Sequence, residues 1–171
     1  MALLSEEPAG RISTRNAGAI SFRAILSQHP DGERRMVPFL GDPPPGARFY
    51  SLARACDAAS GNKEISCEIR ALHVEQLTGA LDAVLRSVAA HAALTEALLE
   101  TRAVRLADPS TAPSPLVETL ARQLSDVGLR PSFGTSWVPA PGADLSVGTR
   151  GLEETIETFV AASTVWRRLS R

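Results

Sequence analysis

Lysine is nearly absent from this chain of 171 residues: Lys63 is the only one, so 17 of its 18 basic side chains are arginine. Because Lys63 is followed by Glu64, no GxxxxGK[ST] phosphate loop exists, and Schiff-base chemistry would have to use that single amine. Cysteine occurs twice, at Cys56 and Cys67, without CxxC spacing, which reads as two small buried hydrophobes rather than a disulfide or redox pair. Long apolar runs are missing as well. The longest uncharged stretch, Pro131 to Ala143, has 13 residues and three prolines, too short and broken to span a bilayer. The first ten residues carry Glu6 and Glu7 and no basic region, unlike a signal peptide. A cytoplasmic location without membrane insertion is therefore expected.

Neither charge sign is in excess. Residues 1–46 hold 5 basic and 5 acidic groups, 47–106 hold 7 and 7, and 107–171 hold 6 and 7. Nucleic-acid binders cluster cations to release counterions from phosphates, so nucleic acid is not an expected partner. The preference for arginine over lysine, with abundant alanine, reads as the codon usage of a GC-rich bacterial genome.

Motifs are lacking too: GxGxxG, HExxH, GxSxG and the EF-hand loop do not occur. The histidines are His29, His73 and His91. His73-Val74-Glu75 matches half of the zinc deaminase signature, but no PCxxC follows, and both cysteines lie upstream. His73 and His91 are eighteen residues apart, about 27 Å along a helix, and cannot share one ion. No metal and no cofactor is expected.

What the sequence does contain is periodicity. From 73 to about 106 there is no proline, and Val74, Leu77, Leu81, Val84, Leu85, Val88, Ala92 and Leu99 fall on one stripe, predicting a long central helix. Gly79, Ala83, Ala90 and Ala97 form a nearly opposite stripe of small residues, a candidate contact face for a second helix or subunit. Further helices are predicted near 47–60, from Phe49, Leu52, Ala53 and Cys56 up to the Gly61 stop, and at 114–128, opened by Ser114 and Pro115 and closed by Gly128. A fourth is predicted at 151–169, with glutamates at its start and arginines at its end. Short antiparallel strands complete the pattern: a hairpin about 20–40 around His29-Pro-Asp-Gly, a strand about 64–71, and a hairpin about 131–148. The alternation at 64–71 also fits a helix running into the next segment. The expected fold is a helix-rich α+β single domain over 1–171, with a polar N-terminal segment 1–17 and an internal boundary at the Pro/Ser loop 107–115.

Arg86 and His91 form an R-x4-H pair, which resembles the loose signature of the HEPN ribonucleases, helical domains in which Arg and His act on the RNA phosphate. On an ideal helix these two side chains point about 140° apart. The resemblance covers those two residues and makes them the weak catalytic candidates. Trp137, set among Pro, Gly and Ser, is the aromatic expected to touch a partner.

Missing motifs, balanced charge and the two-faced helix together give the leading expectation: a non-catalytic protein-interaction module, an adaptor or structural subunit of a bacterial assembly, with a protein partner or homo-oligomer. The alternative is an enzyme whose site assembles only in three dimensions and acts on an anionic substrate, the ribonuclease being its special case.

Overall fold

Nine strands and two helices follow one another among the residues described by the computed structural model, namely 2–27, 40–57, 60–142 and 145–150. In chain order they are β1 (Ala2–Pro8), β2 (Arg11–Asn16), β3 (Gly18–Ser27), β4 (Ala47–Cys56), β5 (Lys63–Ala71), α1 (Val74–Leu94), β6 (Leu98–Ala107), β7 (Ser110–Thr111), α2 (Ser114–Asp126), β8 (Ser132–Ser136) and β9 (Leu145–Arg150). They divide into two compact units. Unit 2 is the continuous stretch Gly18–Leu106, and unit 1 is built from the chain on either side of it, Met1–Ala17 and Ala107–Arg171. Unit 2 is thus an insertion in unit 1, and its exit lies beside the Pro/Ser loop 107–115.

Unit 2 is a four-stranded sheet in the order β4-β5-β3-β6 with α1 packed on β3, β5 and β4. Side chains alternate across a strand. Ile20, Phe22, Ala24 and Leu26 of β3 and Ile65, Cys67, Ile69 and Ala71 of β5 therefore share one buried face, which meets Leu77, Ala80, Val84, Val88 and Ala92 of α1. Those five helical residues recur at three- and four-residue steps, the spacing that puts them on one side of α1.

Unit 1 centres on β2. Along one edge of β2 runs β8, parallel, with Arg11 opposite Ser132 and Asn16 opposite Ser136. The other edge is shared by two antiparallel neighbours, β9 beside Ile12 and Ser13 and β7 beside Arg15 and Asn16. Strand β1 lies parallel to β9. Ile12 packs with Ala112, Leu120 and Leu124, so α2 covers one face of β2.

The helix-rich expectation is corrected by these elements, which make a strand-rich α+β fold. The central helix stops at Leu94 rather than 106, because Glu96 takes φ 51 and the following Leu98–Ala107 pairs with β3 as a sheet edge. Those residues favour helix by propensity, but strand pairing overrides so small a preference. Residues 47–56 form a strand, not a helix. A bulge between Tyr50 and Ala53, with Ser51 at φ 51, shifts the side-chain phase by one residue, so the apolar positions on either side imitate helical spacing.

The 131–148 hairpin is also corrected: β8 and β9 flank β2 on opposite edges and do not pair with each other. The polar segment 1–17 folds into β1 and β2. The alternation at 64–71 is a strand, β5, paired on both sides. In α2 the N-cap is Pro113, one residue ahead of Ser114, and no side chain caps it. The first arm of the 20–40 hairpin falls in β3, which pairs with β5 instead; residues 28–39 and the helix expected at 151–169 lie outside the described residues. Among the described residues no helix is long and apolar enough to cross a membrane.

Candidate functional site

Two groups of polar side chains stand out, one in each unit. In unit 1 the buried polar residues are Ser13, Asn16 and Ser136, each at most 1% exposed. Asn16 lies in register between Ser110 of β7 and Ser136 of β8. Its Nδ2 donates to Ser110 Oγ at 3.2 Å, and the Val138 amide donates to Ser136 Oγ at 3.1 Å. Main-chain bonds tighten the same place: Ala17 N donates to Ser136 O at 2.9 Å and Ala112 N to Thr14 O at 2.8 Å. The cluster stands where the chain leaves unit 1 and where it returns. Chemically it offers neutral hydroxyl and carboxamide groups. A serine becomes a nucleophile beside a base, usually histidine, and unit 1 has no histidine anywhere in its sequence.

In unit 2 the site is the sheet face turned away from α1. Alternation there displays Ser21 and Arg23 of β3, Glu64, Ser66, Glu68 and Arg70 of β5, and Arg48 and Tyr50 of β4. Arg23 Nη2 donates to Glu64 Oε2 at 2.6 Å. Glu64, first by this hydrogen bond and then by its charge, raises the guanidinium's pKa above its usual value. Arg70 pairs with Glu68 of its own strand, and its guanidinium sits 4.0 Å from the centroid of the Tyr50 ring. Planar guanidinium on an aromatic face is a favoured arrangement for arginine, unavailable to lysine in the same form. Arg48 is directly across from Arg70. The face therefore gathers three arginines with two carboxylates, and Arg23 and Arg70 are each paired with one of them.

The residues singled out in the sequence lie elsewhere. Arg86 is exposed and His91 half-buried on α1, whose five-residue separation turns them apart. Of the small-residue stripe, Gly79 and Ala90 are exposed and Ala83 is half-buried, and a Cβ at Gly79 would meet nothing within 4 Å. Ala97 lies beyond the helix end and packs against the unit 2 core. Trp137 follows β8 and is half-buried, whereas the exposed aromatic among the described residues is Phe133, at 59%. His73 is the exposed N-cap of α1, and His29 lies outside the described residues. Among the described residues no three His, Cys, Asp or Glu side chains gather as a metal site.

Sequence reasoning missed Asn16, Ser110 and Ser136, because 1–17 was read only as a polar N-terminal segment, 107–115 as a boundary loop and 131–148 as a hairpin of its own. The available signal was Ile12 between Arg11 and Ser13, the start of an alternating strand.

No protein-family model and no curated protein matches this sequence. Solved structures do. Aminopeptidase PepT from Bacillus cereus aligns over 94% of this chain and 55% of its own, with TM-score 0.63 and 13% identity. A tripeptidase from Staphylococcus aureus aligns over 85% of this chain and 47% of its own, TM-score 0.61, 9% identity. An amidase of the hydantoinase/carbamoylase family from Burkholderia phymatum aligns over 93% and 49%, TM-score 0.57, 12% identity. The likeness is one of fold. The chain spans about half the length of these structures.

The adaptor or structural-subunit expectation is overturned here, since the three structures just named that share this fold are two peptidases and an amidase. Absence of contiguous motifs was weak ground for that expectation, because a fold hosts many functions and a missing local signature does not select among them.

Proposed function

We propose that the chain works in hydrolysis of an amide bond in a small carboxylate-bearing compound, such as a short peptide. The observation that carries this reading is the extent of the structural likeness: the alignment to the aminopeptidase takes in 94% of this chain, the inserted unit together with the unit that receives it. The arginine face of unit 2 supports an anionic substrate, because guanidinium groups bind carboxylates through paired donors. A cytoplasmic setting belongs to the same reading and agrees with the two free thiols, Cys56 and Cys67.

The test is an assay on the protein isolated from its host with its natural associates. It is offered tripeptides and N-carbamoyl amino acids with Zn²⁺, Mn²⁺ or Co²⁺, and newly freed amine is measured. Amine release from either class is the expected result. No release from either class with any of the three ions overturns the reading.

A further inference from the structure

Aminopeptidases are among the enzymes that hold two divalent ions about 3.5–4 Å apart to clamp the attacking and leaving oxygens. Such ions are held by imidazole nitrogens and carboxylate oxygens, several to each ion. The donors among the described residues do not fit a pair of that kind. Unit 1 contains neither histidine nor cysteine in its sequence. Its buried polar groups are the neutral Ser13, Asn16 and Ser136, which have no charge to balance a dication. Three of its carboxylates are dispersed: Glu118 and Asp126 stand about 12 Å apart along α2, and Asp108 lies in the preceding loop. In unit 2, His73 and His91 mark the two ends of α1, about 27 Å apart. No three candidate ligands meet among the described residues.

We infer that this chain holds no divalent metal pair by itself, and that the imidazole ligands for amide hydrolysis lie outside residues 1–171. The inference rests on the amide-hydrolase reading above, and it gives this chain the part of positioning substrate rather than of activating water.

The purified 171-residue chain, and the same chain carrying His73→Ala and His91→Ala, are dialysed against Zn²⁺ and Mn²⁺ and their retained metal is counted by mass spectrometry. His73 is exposed and makes no side-chain cap bond, so its replacement leaves α1 intact. The unaltered chain is expected to retain well under one equivalent of either ion, and the double variant no less than it does. One equivalent or more retained by the unaltered chain overturns the inference, and its loss in the double variant would assign that metal to His73 and His91. The amine-release assay on the host preparation is a separate readout: a preparation that cleaves nothing, beside a chain that retains no metal, removes the hydrolase reading and leaves the metal count standing.

Discussion

Asn16 donates to Ser110 at 3.2 Å across a gap of 94 residues, and so ties the chain just before the inserted unit to the chain just after it. The bond joins two short neighbouring strands, β2 and β7, whose register pairs the same two residues. Asn16 is 1% exposed, so its replacement removes a bond made out of water to the half-buried Ser110 hydroxyl. Asn16→Ala should lower the stability of unit 1 by about 1–3 kcal/mol, and Ser110→Ala by about 1 kcal/mol. Urea unfolding followed by tryptophan fluorescence reads this unit selectively, because Trp137 and Trp166 both belong to it. Equal midpoints for wild type and Asn16→Ala would show that the bond does not clamp the insertion.

Glu96 and Gly128 hold the same place after two different helices. At each the backbone is left-handed, with φ 51 and 81, and the next residue's amide closes a six-residue loop: Ala97 N to Ala92 O at 3.0 Å, Leu129 N to Leu124 O at 2.9 Å. Glycine adopts this geometry freely and glutamate does not. Glu96→Gly should therefore stabilise unit 2 by about 0.5–1 kcal/mol, and Gly128→Ala should destabilise unit 1 by about 1 kcal/mol. Opposite signs in the denaturation midpoints are the expected result. A loss of stability in Glu96→Gly means that its carboxylate contributes more than the strain it carries.

The same pair shows how far the fold was legible. Gly128 announces the end of α2, whereas the turn after α1 has no glycine or proline to mark it, and the predicted helix ran twelve residues too far into β6. Strand β5 is readable because both its neighbours and its helix enforce strict alternation from Glu64 to Ala71. The bulge in β4 hides the same period. The polar cluster is harder still, since Asn16, Ser110 and Ser136 acquire meaning only through pairings that skip the whole of unit 2.

Gly10 and Gly46 are both left-handed, at φ 80 and 83, yet their surroundings differ. Gly46 is the third residue of a turn closed by Ala47 N donating to Pro44 O at 3.0 Å, and an added Cβ would strike the end of the Gln76 side chain. That side chain can swing away, so Gly46→Ala is governed by backbone strain of about 1–2 kcal/mol, and adding Gln76→Ala should restore little. At Gly10 the Cβ would lie 2.9 Å from the Arg130 carbonyl oxygen, while Gly10 O accepts from Ser132 N. A main-chain obstacle held by a sheet cannot step aside, and Gly10→Ala should destabilise more than Gly46→Ala. Thermal unfolding of the two single variants gives the order; a reversed order would show that the β1–β2 turn yields more easily than the Pro-rich one.

Cys67 and Cys56 differ in burial and should differ in chemistry. Cys67 lies on the covered face of β5, opposite Phe22, and removal from water pushes its thiol up to about 11 from 9.0. Cys56, at the end of β4, is exposed. The thiolate is the reactive form, so a thiol reagent at pH 8 should label one cysteine in the native protein and two in denaturant. The same burial sets a pH dependence. Between about pH 9 and 11 the unfolded chain has released the Cys67 proton and the folded chain has kept it, so the unfolded state binds fewer protons and stability falls as pH rises. Below pH 9 the contribution is fully present. Replacing the thiol with the unionisable Cys67→Ala should lower stability at neutral pH through the cavity it leaves, and it should flatten the decline between pH 9 and 11. An unchanged slope in that variant would assign the alkaline loss to another group.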